Sequence, residues 1–153
     1  LDELRRVRSA GTLAAQVRFQ ARHELTLMAC SLLERRELRR IVANPEGRPL
    51  PQVIADYERA FRRVLARRPE AARHAKVMRH ARRCFGDALT ARDKRHFLRL
   101  QQAYEEGSIA RSDLLVLLQS WVQRFGEEYL AGQAYVSPYP RELMVDGGGG
   151  GDR

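Results

Sequence analysis

Hydrophobic residues recur along the chain at the spacing of amphipathic α-helices. The first clear series, with members three or four positions apart, is Val17, Ala21, Leu25, Met28 and Leu32. It predicts a helix over about residues 12–30 and a second over about residues 31–43. A cluster of proline, glycine and asparagine over residues 44–51 then predicts the clearest internal loop.

The remaining two thirds of the chain repeat this pattern. The apolar positions that mark the inner faces of further helices are Val53, Tyr57, Phe61, Val64 or Leu65, Ala71, Ala75, Met78, Phe85, Phe97, Leu100, Tyr104, Leu114, Leu117, Leu118, Trp121, Val122 and Phe125. Pro69 suits the first turn of one helix, while Thr90 with Asp93 and Ser112 suit the N-caps of two others. Gly107 and Gly126 are placed to end helices, and a short helix follows over residues 127–130.

No strand-like alternation and no internal repeat interrupts these helices. The pattern therefore predicts an all-α, single-domain helical bundle of about six or seven helices. Its expected organisation is a linker or leading helix over residues 1–11, the helical domain over 12–145 and a flexible glycine-rich tail over 146–153. Residues 138–140, Pro-Tyr-Pro, are expected to be extended.

The distribution of charge adds a functional clue. The 153 residues carry a formal net charge of +9, with a pI near 10.5. Residues 59–99 hold 14 basic and 3 acidic residues, whereas the rest of the chain holds 14 basic and 16 acidic residues. A basic excess confined to one segment favours a phosphate-rich partner such as RNA, and the alternative is a solvated arginine-rich surface.

Part of this segment falls on one face of a helix. At about 100° per residue, four side chains occupy an arc of about 80°: Arg73, Lys76, His80 and Arg83. They span about 15 Å, enough for two or three phosphates. Flanking residues that extend this predicted RNA-binding surface are Arg79, Arg62, Arg63, Arg67 and Arg68.

Three ionisable residues are predicted to face the apolar side of their helices: Glu24, His74 and Arg82. A buried charge needs a partner, which favours a structural pair such as Glu24 with Arg82 or a position at a helix edge. The alternative is a functional pair. Arg22 and His23 are expected together on the outer side of the first helix, either as an exposed dyad or as a further RNA contact.

Motifs for metal binding and catalysis are absent from the sequence. The four histidines lack the H-E-x-x-H spacing, and Cys30 and Cys84 are far apart, so both cysteines are expected to be small buried hydrophobes. A phosphate-binding glycine loop and a nucleophile elbow are also missing. The longest apolar run, residues 114–118, is too short to cross a bilayer, which predicts a cytoplasmic protein without membrane contact.

Four blocks of sequence resemble the YbgA family, a helical domain of unknown function. They are FQARHELTLMACS at 19–31, REL at 36–38 leading to VA at 42–43, RHAKVMRH at 73–80, and YL at 129–130 with QAY at 133–135 and PYPREL at 138–143. The resemblance covers roughly residues 17–144. The chain departs from the family pattern, which often has other residue types at these positions, at Gln20, Cys30, Lys76, Arg83 and Cys84.

The resemblance implies a partner domain, because members of this family occur alone or fused behind a TudS-like thiouracil desulfidase domain with an iron–sulfur cluster. Such proteins are linked to removing sulfur from 4-thiouridine in tRNA. This chain is therefore expected to be an accessory domain that holds tRNA, with no cofactor of its own. The matching positions are Arg22, His23, Arg73, His74 and His80, with Gln133 and Tyr135 near the end.

An alternative function remains open. His23, His74 and His80 with Glu24 are candidates for an interhelical site that binds or transforms a small molecule. A packing or dimerisation domain, in which the arginines only maintain solubility, is a third possibility.

Overall fold

The computed structural model describes residues 2–137, and nine α-helices with one short 3₁₀ helix account for the regular structure within that range. The α-helices are α1 (Asp2–Ala10), α2 (Leu13–Arg22), α3 (Glu24–Ala29), α4 (Leu32–Ala43), α5 (Leu50–Ala66), α6 (Ala71–Arg83), α7 (Ala91–Glu105), α8 (Arg111–Phe125) and α9 (Glu128–Ala131). The described residues contain no strand, which confirms the all-α, single-domain prediction. The predicted extended segment 138–140 and the glycine-rich tail 146–153 lie outside the described residues.

Local sequence signals set most helix ends. The predicted capping box at Thr90 is confirmed, because its hydroxyl accepts the Asp93 N–H and the Asp93 carboxylate accepts the Thr90 N–H. Gly126 ends α8 in the left-handed region with φ of 62°. The Ser112 cap is wrong, since α8 already begins at Arg111. Pro69 lies just before α6 rather than inside it.

The long helix predicted over residues 12–30 is two helices that meet at His23. A continuous helix would bond the Leu25 N–H to the Ala21 carbonyl. Instead the side-chain amide of Gln133 lies between them: its Oε1 accepts the Leu25 N–H at 3.1 Å, and its Nε2 donates to the Ala21 carbonyl at 2.8 Å. A side chain from about 110 residues away thus replaces one bond of the helix ladder and changes the direction of the chain.

The core consists of two hydrophobic clusters. One is formed mainly by α1, α2, α4 and α5 around Phe19, Tyr57 and Phe61, and the other mainly by α6–α9 around Phe97 and Trp121. The short helix α3 belongs to both, since Leu27 packs in the first cluster and Leu25 and Ala29 pack in the second. This arrangement leaves the outer sides of α6 and α7 facing solvent.

Candidate nucleic-acid interface

The exposed face of α6 differs slightly from the predicted RNA-binding face of Arg73, Lys76, His80 and Arg83. Its exposed cations are Arg73, Lys76, Arg79 and Arg83, and of these the Arg73 guanidinium donates to the Cys30 carbonyl. Val77 is fully buried and lies only about 40° around the helix from Arg73, so the core reaches closer to Arg73 and His80 than expected. His80 is accordingly half-buried. The outward surface of α6 is therefore centred on Lys76, and Arg79, predicted only to flank this surface, is part of it.

A second row of cations lies on α7. Arg92, Arg95 and Arg99 follow one another at three and four positions, and all three side chains are exposed. Together with Leu98, which is 55% exposed, they line an open depression on the protein surface. This spacing places the guanidinium groups along one side of the helix over about 10 Å.

The two rows lie on the exposed sides of adjacent helices, since α6 and α7 pack against each other and Arg79 on α6 reaches Glu105 on α7 at 3.9 Å. We call this surface the α6–α7 basic face and define it by Lys76, Arg79, Arg83, Arg92, Arg95 and Arg99. Within residues 2–137, Arg79 is its one member with a carboxylate within 4 Å. The other five have no carboxylate within 4 Å in that part of the chain.

The arginines predicted on α5 are arranged differently. Arg62 binds the buried carboxylate of Glu58, and Arg63 lies 2.8 Å from Glu37 on α4. Arg67, which follows α5, lies 3.0 Å from Glu34 on α4. Glutamates of the same fold therefore already neutralise these three charges.

Three other predicted RNA contacts are also engaged inside the protein. The Arg73 guanidinium donates to the Cys30 carbonyl at the end of α3. Arg22 lies 2.9 Å from Glu3 on α1 and donates to the Gly132 carbonyl, and His23 lies 3.2 Å from the same Glu3 carboxylate. The expectation that Arg22 and His23 form an exposed dyad is wrong, because α1 and the C-terminal segment cover them and leave both half-buried.

His74 is buried, as predicted, in a polar cluster with Tyr135 and Arg111. Its Nδ1 lies 2.8 Å from the Tyr135 hydroxyl, and the Arg111 Nη1 lies 3.0 and 3.1 Å from its two ring nitrogens. Burial and the charge of Arg111 lower the pKa of His74 to about 4, so its imidazole is neutral at pH 7. This cluster attaches the C-terminal segment to α6 and α8.

The predicted pair between Glu24 and Arg82 does not form. Glu24 is exposed and its carboxylate accepts a hydrogen bond from the Tyr129 hydroxyl at 2.9 Å. The helix break at His23 rotates Glu24 out of the phase expected from α2. Arg82 is half-buried, and its Nε has no hydrogen-bond acceptor among the described residues.

The two cysteines behave as structural residues. Burial raises the pKa of the Cys30 thiol to about 11 and also raises that of Cys84, so both are protonated at pH 7. Cys30 is buried as predicted, whereas Cys84 is half-buried. Residues 2–137 contain no group of three potential ligands close enough to hold a metal ion. Over the same range, no helix is long and apolar enough to cross a membrane.

Residues 24–140 match a family described as a protein of unknown function, DUF1722. The chain belongs to the DUF1722 family. Neither the curated proteins nor the solved structures contain a match to it.

The DUF1722 match includes the whole α6–α7 basic face and the His74 cluster. Arg22 and His23 fall just before it, as do α1 and its Glu3 carboxylate. The basic face therefore lies within the part of the chain that the family defines.

The cations that sequence reasoning did not select are Arg92, Arg95 and Arg99. They lie inside the predicted basic segment, and their spacing of three and four positions is visible in the sequence. What the sequence does not show is that these three arginines have no carboxylate within 4 Å among residues 2–137, whereas Arg63 and Arg67 have partners on α4.

Proposed function

We propose that this DUF1722 domain is a tRNA-binding accessory domain that holds RNA on the α6–α7 basic face. The observation that carries the proposal is the set of exposed cations on two packed helices, of which five have no carboxylate within 4 Å among the described residues. Release of counterions from RNA phosphates drives binding to such a surface.

The geometry favours contacts with the sugar-phosphate backbone over base recognition. Arginine guanidinium groups bind phosphate oxygens with two parallel hydrogen bonds, and the row on α7 spans about 10 Å. Contacts of this kind position a nucleic acid but carry little sequence information. Selection of a particular nucleotide is therefore expected to reside in a neighbouring domain.

The resemblance to the YbgA family supports the identity of that neighbour. It suggests a TudS-like desulfidase domain in the same cytoplasmic protein, which acts on 4-thiouridine in tRNA with an iron–sulfur cluster. Such a cluster needs about four ligands, and this chain has only the protonated thiols of Cys30 and Cys84. We therefore assign the sulfur chemistry to the neighbouring domain and RNA binding to this one.

A chemical footprint tests where RNA binds. The chain has only two lysines, Lys76 on the basic face and the half-buried Lys94. The chain is acetylated with and without tRNA at low salt, and modification is followed by mass spectrometry. Protection of Lys76 beyond that of Lys94 is the expected result. Absence of tRNA binding at low salt, or an unchanged rate at Lys76 in saturated complex, would reject the proposal.

The alternative site of His23, His74, His80 and Glu24 gains no comparable support. His23 bonds to Glu3, His74 to Tyr135 and Glu24 to Tyr129, and no hydrogen bond joins any two of the four within the described residues. No specific contact favours catalysis by this set.

A further inference from the structure

A groove between α2, α3 and α4 is unconnected with the basic face. It has a volume of about 540 Å³, which lies in the range of small-molecule sites. Its apolar lining includes Leu27, Met28 and Leu38, together with Val17 and Ala21 from α2. Val17 is 53% exposed, so this apolar surface is open to solvent.

One side of the groove is positively charged. Arg35 and Arg39 on α4 both line it, and neither has a carboxylate within 4 Å among residues 2–137. The Arg35 Nε–H is buried without an acceptor in that part of the chain. An unsatisfied buried donor is costly, and the attraction of a bound anion for this guanidinium would offset part of that cost. Glu24 borders the groove from α3, where it accepts the Tyr129 hydroxyl.

We propose that this groove binds a small amphipathic acid, whose apolar chain or ring system contacts Met28 and Leu38 and whose anionic group lies beside Arg35 and Arg39. The apolar lining supplies affinity, and the two guanidinium groups select an acid over a neutral molecule of the same shape. This binding is independent of RNA binding by α6 and α7.

The test uses 1-anilinonaphthalene-8-sulfonate, a fluorescent probe that combines apolar rings with one anionic group. The full chain is titrated with this probe, which is then displaced with decanoate or with neutral decanol. Decanoate is expected to displace it at roughly tenfold lower concentration than decanol, because only the acid gains charged hydrogen bonds. Equal displacement by the two compounds would overturn the proposal.

Two arginines of α4 provide a matched pair of variants. Arg39→Gln removes a charge from the groove, whereas Arg36→Gln removes an exposed charge that does not line it. The first is expected to weaken probe and decanoate binding roughly tenfold, and the second to leave both unchanged. Equal effects of the two substitutions would contradict a local role for Arg39.

Ala21→Trp places a large side chain at the exposed Ala21 position and is expected to abolish probe binding while circular dichroism stays helical. The proposal would be overturned if the chain self-associated over the titrated concentrations and Ala21→Trp made it monomeric. That result would identify the groove as an interface between copies. Should Ala21→Trp misfold, the arginine pair still decides the question.

Discussion

Two neighbouring regions of this protein have the same number of basic residues but use them differently. Residues 32–67, which form α4 and α5, and residues 71–105, which form α6 and α7, contain nine each. The first region has five acidic residues and pairs six of its arginines with them, whereas the second has three and pairs only Arg79 within the described chain. The two regions differ more in available charge than in basic composition.

The difference shows that a basic stretch indicates nucleic-acid binding only through the cations that do not already pair with carboxylates of the protein. In α4 and α5 the charges join helices to each other and saturate the carboxylates. The cations of the α6–α7 basic face are exposed, and five of the six have no carboxylate within 4 Å among residues 2–137, so a phosphate can bind these five without displacing one of those carboxylates. We expect substitutions in the first region to change stability and substitutions in the second to change RNA affinity.

The largest expected effect follows from removing the row on α7. The triple variant Arg92→Gln, Arg95→Gln and Arg99→Gln should bind tRNA roughly tenfold or more weakly at low salt, because three phosphate contacts are lost. Its free energy of unfolding should stay equal or rise slightly, since like charges are removed. Fluorescence anisotropy and urea unfolding measure the two quantities. Unchanged affinity would place RNA elsewhere.

A buried carboxylate makes Arg62 the next most sensitive position. Arg62→Gln should lower the free energy of unfolding by about 1–3 kcal/mol, because it leaves the buried Glu58 carboxylate without its cation. Arg59→Gln is the matched control, since its partner Asp56 keeps Arg48. The free energy of unfolding, measured with urea, should be lower for Arg62→Gln than for Arg59→Gln, whereas the two variants should bind tRNA with equal affinity. A loss of affinity in Arg62→Gln at unchanged stability would contradict the comparison.

The pair between Arg67 and Glu34 predicts a dependence on pH. Burial would raise the pKa of Glu34, but hydrogen bonds from Ser31 and the charge of Arg67 together hold this pKa below its ordinary value of 4.5. A lowered carboxylate pKa stabilises the fold above the ordinary value, and this stabilisation is lost as the pH falls through the folded-state pKa.

Arg67→Gln should therefore destabilise the protein at pH 7, and its difference from the parent chain should shrink on acidification below the ordinary pKa. Arg68→Gln, at the neighbouring exposed position, is the control and should show no such pH dependence. Urea unfolding across this pH range measures both. A constant difference between Arg67→Gln and the parent at all pH values would exclude the linkage to Glu34.

The smallest effect is expected at the exposed pair of Arg63 and Glu37. Arg63→Gln should cost less than about 1 kcal/mol, because solvent screens both side chains. High salt should remove even this difference. A loss that persisted in high salt would show that Arg63 contributes by packing rather than by charge.

Much of the fold could be predicted from the sequence because its signals are local. The capping box at Thr90 and the left-handed Gly126 depend on residues within one helical turn. The break at His23 could not be predicted in this way, because it depends on Gln133 about 110 positions later. The same long-range contact explains why Glu24 lies outside the predicted phase.

The candidate site shows a similar limit. The basic segment was visible as a charge excess, and the rows on α6 and α7 follow helical spacing. Pairing of Arg63 with Glu37 and of Arg22 with Glu3 joins separate helices, so it appears only in the folded chain. The predicted contacts at Arg22, His23, Arg63, Arg67 and Arg73 therefore have internal partners that their sequence positions did not reveal, whereas the pairing of Arg62 with Glu58 follows a spacing of four positions within α5.

The measurement that tests the central claim most directly is the salt dependence of tRNA affinity in two matched triple variants. One changes Arg92, Arg95 and Arg99 to glutamine, and the other changes the ion-paired Arg59, Arg63 and Arg67. Both remove three exposed charges. The α7 variant should reduce the slope of log affinity against log salt by about 3, and the ion-paired variant should retain the parental slope. Equal reductions in both variants would contradict the account, because net charge alone would then explain binding.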